Sequence, residues 1–255
     1  DAALIACDGT KNKSRLGANA ILGVSCAVAR AAAQQAGMPL YQWLGKQRRQ
    51  SIPMPMVNIV SGGLHAARAM ELQDFLAIPV GAETFHQAME WICRIHGTAR
   101  QVLAERGAFF TGVADEGGWG PRLAHNEEAL RVMVEAIERA GLRPGEQVAI
   151  ALDVAASHFF DKGSYALEGR VMGAKEFISL LAELSSKYPI LSIEDGLDQN
   201  DWGHWPELTA RLGNSMQIVG DDLLTTKLER LEMAIAAKAA NAVLVKMNQI
   251  GTLTE

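Results

Sequence analysis

Four short apolar runs in this chain stop abruptly on charged side chains. They are Val148-Ala149-Ile150-Ala151-Leu152-Asp153, Ile190-Leu191-Ser192-Ile193-Glu194-Asp195, Gln217-Ile218-Val219-Gly220-Asp221-Asp222 and Ala242-Val243-Leu244-Val245-Lys246. A segment buried on both faces reads as a continuous stretch of Ile, Leu and Val, so these runs predict central strands of a sheet. Helix-patterned segments at about 174–187, 202–212 and 226–238 lie between and after them. Strand then helix, repeated, predicts parallel pairing with right-handed crossovers. In open α/β sheets and in barrels alike, ligands gather at the C-terminal ends of the strands. Asp153, Glu194, Asp221 and Lys246 are therefore expected to meet on one face.

The remainder of the chain fits the same α/β class. An Ala-rich helix is predicted over 17–36, ended by Gly37-Met38-Pro39, with a short helix over Leu40–Leu44. The polar, basic segment Gly45–Ser51 is the natural divide, giving a helical unit at 1–50 and a second unit at 51–255. Ile52–Val60 contains Pro53 and Pro55, which keep its first half out of a central strand position. Phe75–Val80 reads as a further strand, and Thr84–Arg106 and Glu127–Ala140 as amphipathic helices, the latter with Asn126 as its N-cap. A small hairpin is expected at Phe159–Leu167. Landmarks at Val57, Phe75, Val148, Ile190, Gln217 and Ala242 count six strands, whereas a closed α/β barrel needs eight. The expected architecture is an incomplete α/β barrel.

Charge and composition exclude several functions. With 24 basic and 29 acidic residues and a net charge of −5, the chain has no basic face suited to a nucleic-acid backbone. No apolar stretch reaches the roughly 18 to 20 residues that span a bilayer, so no membrane partner is expected. Cys7, Cys26 and Cys93 are odd in number and widely spaced, which suits a reducing, cytoplasmic setting and small core hydrophobes rather than disulfides. The chain starts on Asp1 rather than Met and stops at Glu255, and both ends read as cut.

Three carboxylates brought into one pocket repel each other unless a positive charge sits between them, and an all-oxygen set favours a hard cation such as Mg²⁺. The plainer reading of any one of these acids is a helix cap or a salt-bridge partner. Three on successive strands, with a lysine on the next, favour the metal. Burial and a neighbouring metal would both pull the Lys246 pKa down toward the range of a base. The loop Ala114-Asp115-Glu116-Gly117-Gly118-Trp119-Gly120 is glycine-rich but lacks the context and the lysine of a phosphate-binding loop.

Taken together, the motifs resemble enolases. The shared blocks are Asp8-Gly9-Thr10 with Asn12-Lys13-Ser14, Gly17 to Ser25, Pro53 to Ile59, Gly62-Gly63-Leu64-His65-Ala66, Asp115-Glu116-Gly117-Gly118, Tyr188 to Asp195 and Lys246 to Glu255. They run in family order over essentially the whole chain. The resemblance implies an enolase-type barrel, a Mg²⁺ cofactor, and reversible dehydration of 2-phosphoglycerate to phosphoenolpyruvate in glycolysis. It assigns Asp153, Glu194 and Asp221 to the metal, Lys246 to removal of the C2 proton and Glu116 to protonation of the departing hydroxyl. Asp74 joins the catalytic set, Gln73 and His65 lie against the substrate, and Asp195 is left as a structural neighbour. Homo-oligomers are also expected for the full-length protein.

Some residues depart from the family pattern. Asp74 stands where most enolases carry glutamate, Leu64 replaces a small or polar residue, and Arg68 adds a positive charge. By the resemblance, most of the family's N-terminal domain would precede Asp1, and the strands carrying its phosphate-binding residues would follow Glu255. The isolated chain is therefore expected to be inactive. Two alternatives stay open: a paralogue acting on a phosphonate or another 2-phosphoglycerate analogue, and a non-catalytic enolase-like binding or structural protein.

Overall fold

The structure is a computed structural model and describes residues 1–255 other than 47, 69 and 111. The chain opens with three helices, α1 (Ala2–Asp8), α2 (Ala18–Gln35) and α3 (Leu40–Gly45). Then follow β1 (Val57–Ser61), β2 (Asp74–Ile78), α4 (Phe85–Glu105), α5 (Asn126–Arg139) and β3 (Ala149–Asp153). A small sheet of β4 (Phe160–Asp161), β5 (Ser164–Leu167) and β6 (Arg170–Met172) precedes α6 (Ala174–Lys187) and β7 (Ile190–Glu194). The chain continues through α7 (Trp205–Leu212), β8 (Gln217–Gly220), α8 (Leu228–Ala237), β9 (Ala242–Val243) and α9 (Met247–Ile250). The main sheet has six strands in the order β1-β2-β3-β7-β8-β9. All six expected strands are present, and the class is α/β.

The parallel pairing expected of the four later runs holds for β3, β7, β8 and β9 but does not extend to β1 and β2. β1 pairs antiparallel with β2 and β2 antiparallel with β3, while β3-β7, β7-β8 and β8-β9 are parallel. The physical reason lies in the connections. β1 and β2 are joined by a loop with only a 3₁₀ turn, so the chain reverses directly. Between β2 and β3 stand two helices, α4 and α5, so β3 starts at the end opposite to β2. The start of β2 therefore lies at the same sheet end as the finish of β1, β3, β7 and β8. Residues 73 and 74 are thereby delivered to the end where the acids sit.

Alternation along the strands divides the core in two. Phe75, Ala77, Ile150 and Leu152 face the helices and join a large cluster with Trp91, Ile95, Leu130, Met133, Phe177, Leu181 and Trp205. Ile78, Ala149 and Ala151 form a small cluster on the opposite face. Helix α4 shows why such segments fold as they do. Thr84 accepts from the Gln87 N–H at 3.1 Å and so caps the helix, and its apolar stripe of Ala88, Trp91, Ile92, Ile95, Ala99 and Val102 is buried at helical spacing.

Three further readings are corrected. The three cysteines are not core hydrophobes: Cys7 and Cys93 are exposed and Cys26 half-buried. Cys93 follows the buried Ile92 but lies off the inward stripe of α4. Asn126 does not cap α5; it is the first helical residue, and Glu168 caps instead by accepting from the Asn126 N–H at 2.5 Å. The Asn126 side chain cross-links outward, accepting from the Leu72 N–H at 3.0 Å and donating to Glu71 at 2.9 Å. Finally, β9 is a two-residue edge strand whose Val243 and the following Val245 are 41% and 67% exposed, so Lys246 does not end a buried strand.

Trp205 is fully buried at the start of α7, and its indole N–H donates to the Asp198 carbonyl at 3.0 Å. Trp205→Ala is expected to lower stability by about 3–5 kcal/mol. Denaturant unfolding of the two chains measures this directly.

Candidate active site

The parallel core of the sheet sets the acids side by side. Asp153 and Glu194 are register partners at the ends of β3 and β7, and Asp221 follows the end of β8. Burial pushes the Asp153 carboxyl well above the ordinary range, with Asp74, Asp195 and Asp221 adding like-charge repulsion against a hydrogen bond from Gln73. Glu194 is raised as well, first by burial and then by the charges of Asp153 and Asp221. Among the described residues nothing donates a hydrogen bond to its carboxylate. The Gln73 amide N–H donates to Asp153 Oδ2 at 2.9 Å, while Gln73 Oε1 is buried without a partner.

Asp221 is held from the other side. The Lys246 ammonium bonds one of its carboxylate oxygens, and Gln249 Nε2 donates to the other at 2.7 Å. Lys246 is positioned by its own N–H, which donates to Thr226 Oγ1 at 2.9 Å. Burial alone would lower the Lys246 pKa, but the hydrogen bond and charge of Asp221, reinforced by Glu194 and Asp153, outweigh it and hold the ammonium above its usual range. The Asp221 contact thus outweighs the burial on which the expected downward shift rests in part.

Asp195 has a structural task. Its carboxylate accepts from the N–H groups of Asp221 and Asp222 at 3.0 and 2.7 Å, fixing the turn that presents Asp221. It does so from a left-handed backbone conformation, φ 43°, that side-chain-bearing residues seldom adopt. Burial pushes its carboxyl up to about 7 despite the two backbone hydrogen bonds.

The second half of the site comes from the β1–β2 loop and the glycine-rich loop. Gly62 and Gly63 turn the chain tightly: a Cβ on Gly62 would lie 2.3 Å from the Leu72 carbonyl oxygen, and Gly63 has φ 48°. A 3₁₀ turn at Leu64–Ala66 then aims His65 back at β2, where its Nδ1 lies 2.6 Å from Asp74 Oδ2. The glycine-rich loop is stitched to the free edge of β1, with the Ser61 N–H donating to the Trp119 carbonyl at 2.8 Å and the Trp119 N–H to the Ile59 carbonyl at 2.9 Å. Trp119 also stacks on His96 of α4 at 4.7 Å. Gly118 is pressed onto β1 so closely that a Cβ would lie 2.6 Å from Ser61 Oγ. This anchoring brings the half-exposed Glu116 to 3.9 Å from His65 Nε2.

The predicted residues thus share one end of the sheet, in two groups. His65, Asp74 and Glu116 place ligand atoms within 4.8 Å of one another, and so do Asp195, Asp221 and Asp222. Asp153, Glu194 and Asp221 form no equally tight set, and Asp221 bonds Lys246 and Gln249 instead. Sequence reasoning gave no role to Asn58, Ser61, Thr226 or Gln249. Gln249 lies three residues past Lys246, a spacing that a helical turn brings alongside, and that is the one signal that could have found it. Leu64 and Arg68 line a cavity of about 320 Å³ beside the site, together with His125 and His158.

The family model described as enolase, C-terminal TIM barrel domain, matches residues 49–255, and that for the enolase N-terminal domain matches residues 1–44. An enolase from Acidothermus cellulolyticus is 51% identical over 255 residues, covering 100% of this chain and 59% of that protein. The chain therefore spans less than two thirds of the length of this relative. With acids ending successive parallel strands, a lysine beyond the next, and both family models matched in order, the chain belongs to the enolase family.

Proposed function

We propose that the protein catalyses the reversible, Mg²⁺-dependent dehydration of 2-phosphoglycerate to phosphoenolpyruvate. The observation that carries this reading is the charge-frustrated set of half-buried Asp153 and Glu194 with buried Asp221, placed beside a lysine on one side and the His65, Glu116 pair on the other. The donor set suits a hard cation. It consists of carboxylate oxygens whose burial raises their proton affinity, next to a buried amide oxygen of Gln73 that has no partner. Asp153, Glu194 and Asp221 would hold Mg²⁺, and when bound it would supply positive charge to offset the enolate that forms on proton removal. Releasing Asp221 from Lys246 frees the amine, and loss of that carboxylate's pull lowers the lysine pKa toward the range of a working base.

Lys246 Nζ takes the C2 proton. Glu116, on the opposite group of residues and open to the pocket, donates a proton to the leaving hydroxyl. Gln73 and His65 orient the substrate between them. The protein is expected to form phosphoenolpyruvate only with Mg²⁺ present. A second reading, turnover of a 2-phosphoglycerate analogue, is favoured by Leu64 and Arg68 lining the adjacent cavity, and normal turnover of 2-phosphoglycerate would eliminate it.

Two outcomes check the reading. Lys246→Ala in the natural protein is expected to reduce the rate of phosphoenolpyruvate formation by about 10²–10⁴-fold. Retained turnover would refute the assignment. Stability of the metal-free chain should also fall as pH rises. Acids with raised folded-state pKa values hold protons in the native state that the unfolded chain has already lost, so their contribution is present below about pH 4 and is lost as pH climbs toward about 7 for Asp153 and Asp195, and toward about 9 for Glu194. Thermal unfolding across that range should show the decline without Mg²⁺ and a flatter profile with it.

A further inference from the structure

The Asp74 carboxylate is 1% exposed and is surrounded by donors. Ser61 Oγ donates to Asp74 Oδ1 at 2.7 Å, Asn58 Nδ2 donates to the same oxygen, and Oδ2 meets His65 Nδ1 at 2.6 Å. Asn58 also donates to Ser61 Oγ at 2.8 Å, so the three side chains form one closed network on β1 and β2. The network follows from register, since Ser61 and Asp74 are cross-strand partners. No face of Asp74 remains for a substrate to touch. His65, in contrast, keeps its other ring nitrogen free toward Glu116, at 3.9 Å.

We propose that Asp74 is a positioning residue: it fixes His65 as the Nδ1–H tautomer and aims the Nε2 lone pair at Glu116, so that His65 and Glu116 face the substrate and Asp74 does not. A carboxylate only accepts, so the Asp74–His65 contact requires the proton on Nδ1, and in a neutral ring Nε2 is then the acceptor. Ala67 and Arg68 follow the 3₁₀ turn in left-handed conformations, φ 53° and 59°, and the backbone hydrogen bonds recorded there, Ala66 N–H to the Gly62 carbonyl and Arg68 N–H to the Gly63 carbonyl, run within the loop itself. The His65 side chain adds a direct tie to β2 beyond the backbone ones, in which the Gly62 N–H donates to the Gln73 carbonyl at 2.7 Å and the Gly63 N–H to the Met70 carbonyl at 2.9 Å.

The proposal concerns the site read above as catalytic, but its test requires neither metal nor turnover. Long-range ¹⁵N–¹H spectra of the histidine rings, with His65 identified by its loss in His65→Gln, should show a protonated Nδ1 and a bare Nε2. In Asp74→Asn the amide oxygen stays with Ser61 and Asn58 and the amide N–H₂ faces the ring, so the tautomer should switch to Nε2–H. Asp74→Glu should keep the Nδ1–H tautomer. A bare Nδ1 in the unaltered chain would overturn the proposal even if every Asp74 variant failed to fold, and so would an unchanged tautomer in a folded Asp74→Asn. In the natural protein, Asp74→Asn should lower kcat by about 10²-fold, the loss expected of a misplaced group. It should cost nothing further in a His65→Gln background, and a full additional loss there would contradict the proposal.

Discussion

Mutual repulsion among carboxylates at the sheet's open end is the constraint on which the rest of this structure depends. Asp153 and Glu194 are brought together by the β3–β7 register, and burial makes their charged forms costly. Neighbouring cationic and amide groups compensate part of this charge. Lys246 and Gln249 turn toward Asp221, and Gln73 turns toward Asp153. The same groups that hold the resting site together are therefore those the proposed chemistry requires to be free. In the proposed chemistry Asp153, Glu194 and Asp221 would hold the cation, which would supply the positive charge that Lys246 and Gln249 now offer Asp221, and Lys246 would then be free to act as base.

The scaffold serves this end through the direction of its first strands. Because β2 runs opposite to β1 and β3, its first residue rather than its last sits beside the acids. A uniformly parallel sheet would have sent Gln73 and Asp74 to the far side. The glycine-rich loop adds a further element by bonding to the edge of β1, which both supplies Glu116 and covers part of an edge that would otherwise be open to pairing. Gly118 is indispensable to that contact, since Ser61 and Asn58 occupy the space a side chain would need.

Much of this was legible in the sequence where the signal is local. Runs such as Val148–Asp153 and Ile190–Asp195 announce buried strands that end on acid, and the helical spacing of Ile92, Ile95, Ala99 and Val102 announces α4. What stayed hidden depends on partners distant in the chain. Glu168 takes over the capping of α5 from 42 residues away, and strand direction in β1 and β2 follows from connections rather than composition. The Asn58, Ser61, Asp74, His65 network joins four unremarkable polar residues that become neighbours only through cross-strand register and a tight glycine turn. The Lys246 pKa went the opposite way from expectation because the pull of Asp221 exceeds the cost of burial.

The most direct measurement is a calorimetric titration of Mg²⁺ near neutral pH, made in two buffers of different ionisation heat, on the chain and on Glu194→Gln. The account predicts saturable binding that releases protons, because the cation displaces those held by the raised carboxyls of Asp153 and Glu194, and it predicts that Glu194→Gln weakens the binding strongly. Binding that releases no protons and is indifferent to Glu194→Gln would contradict it.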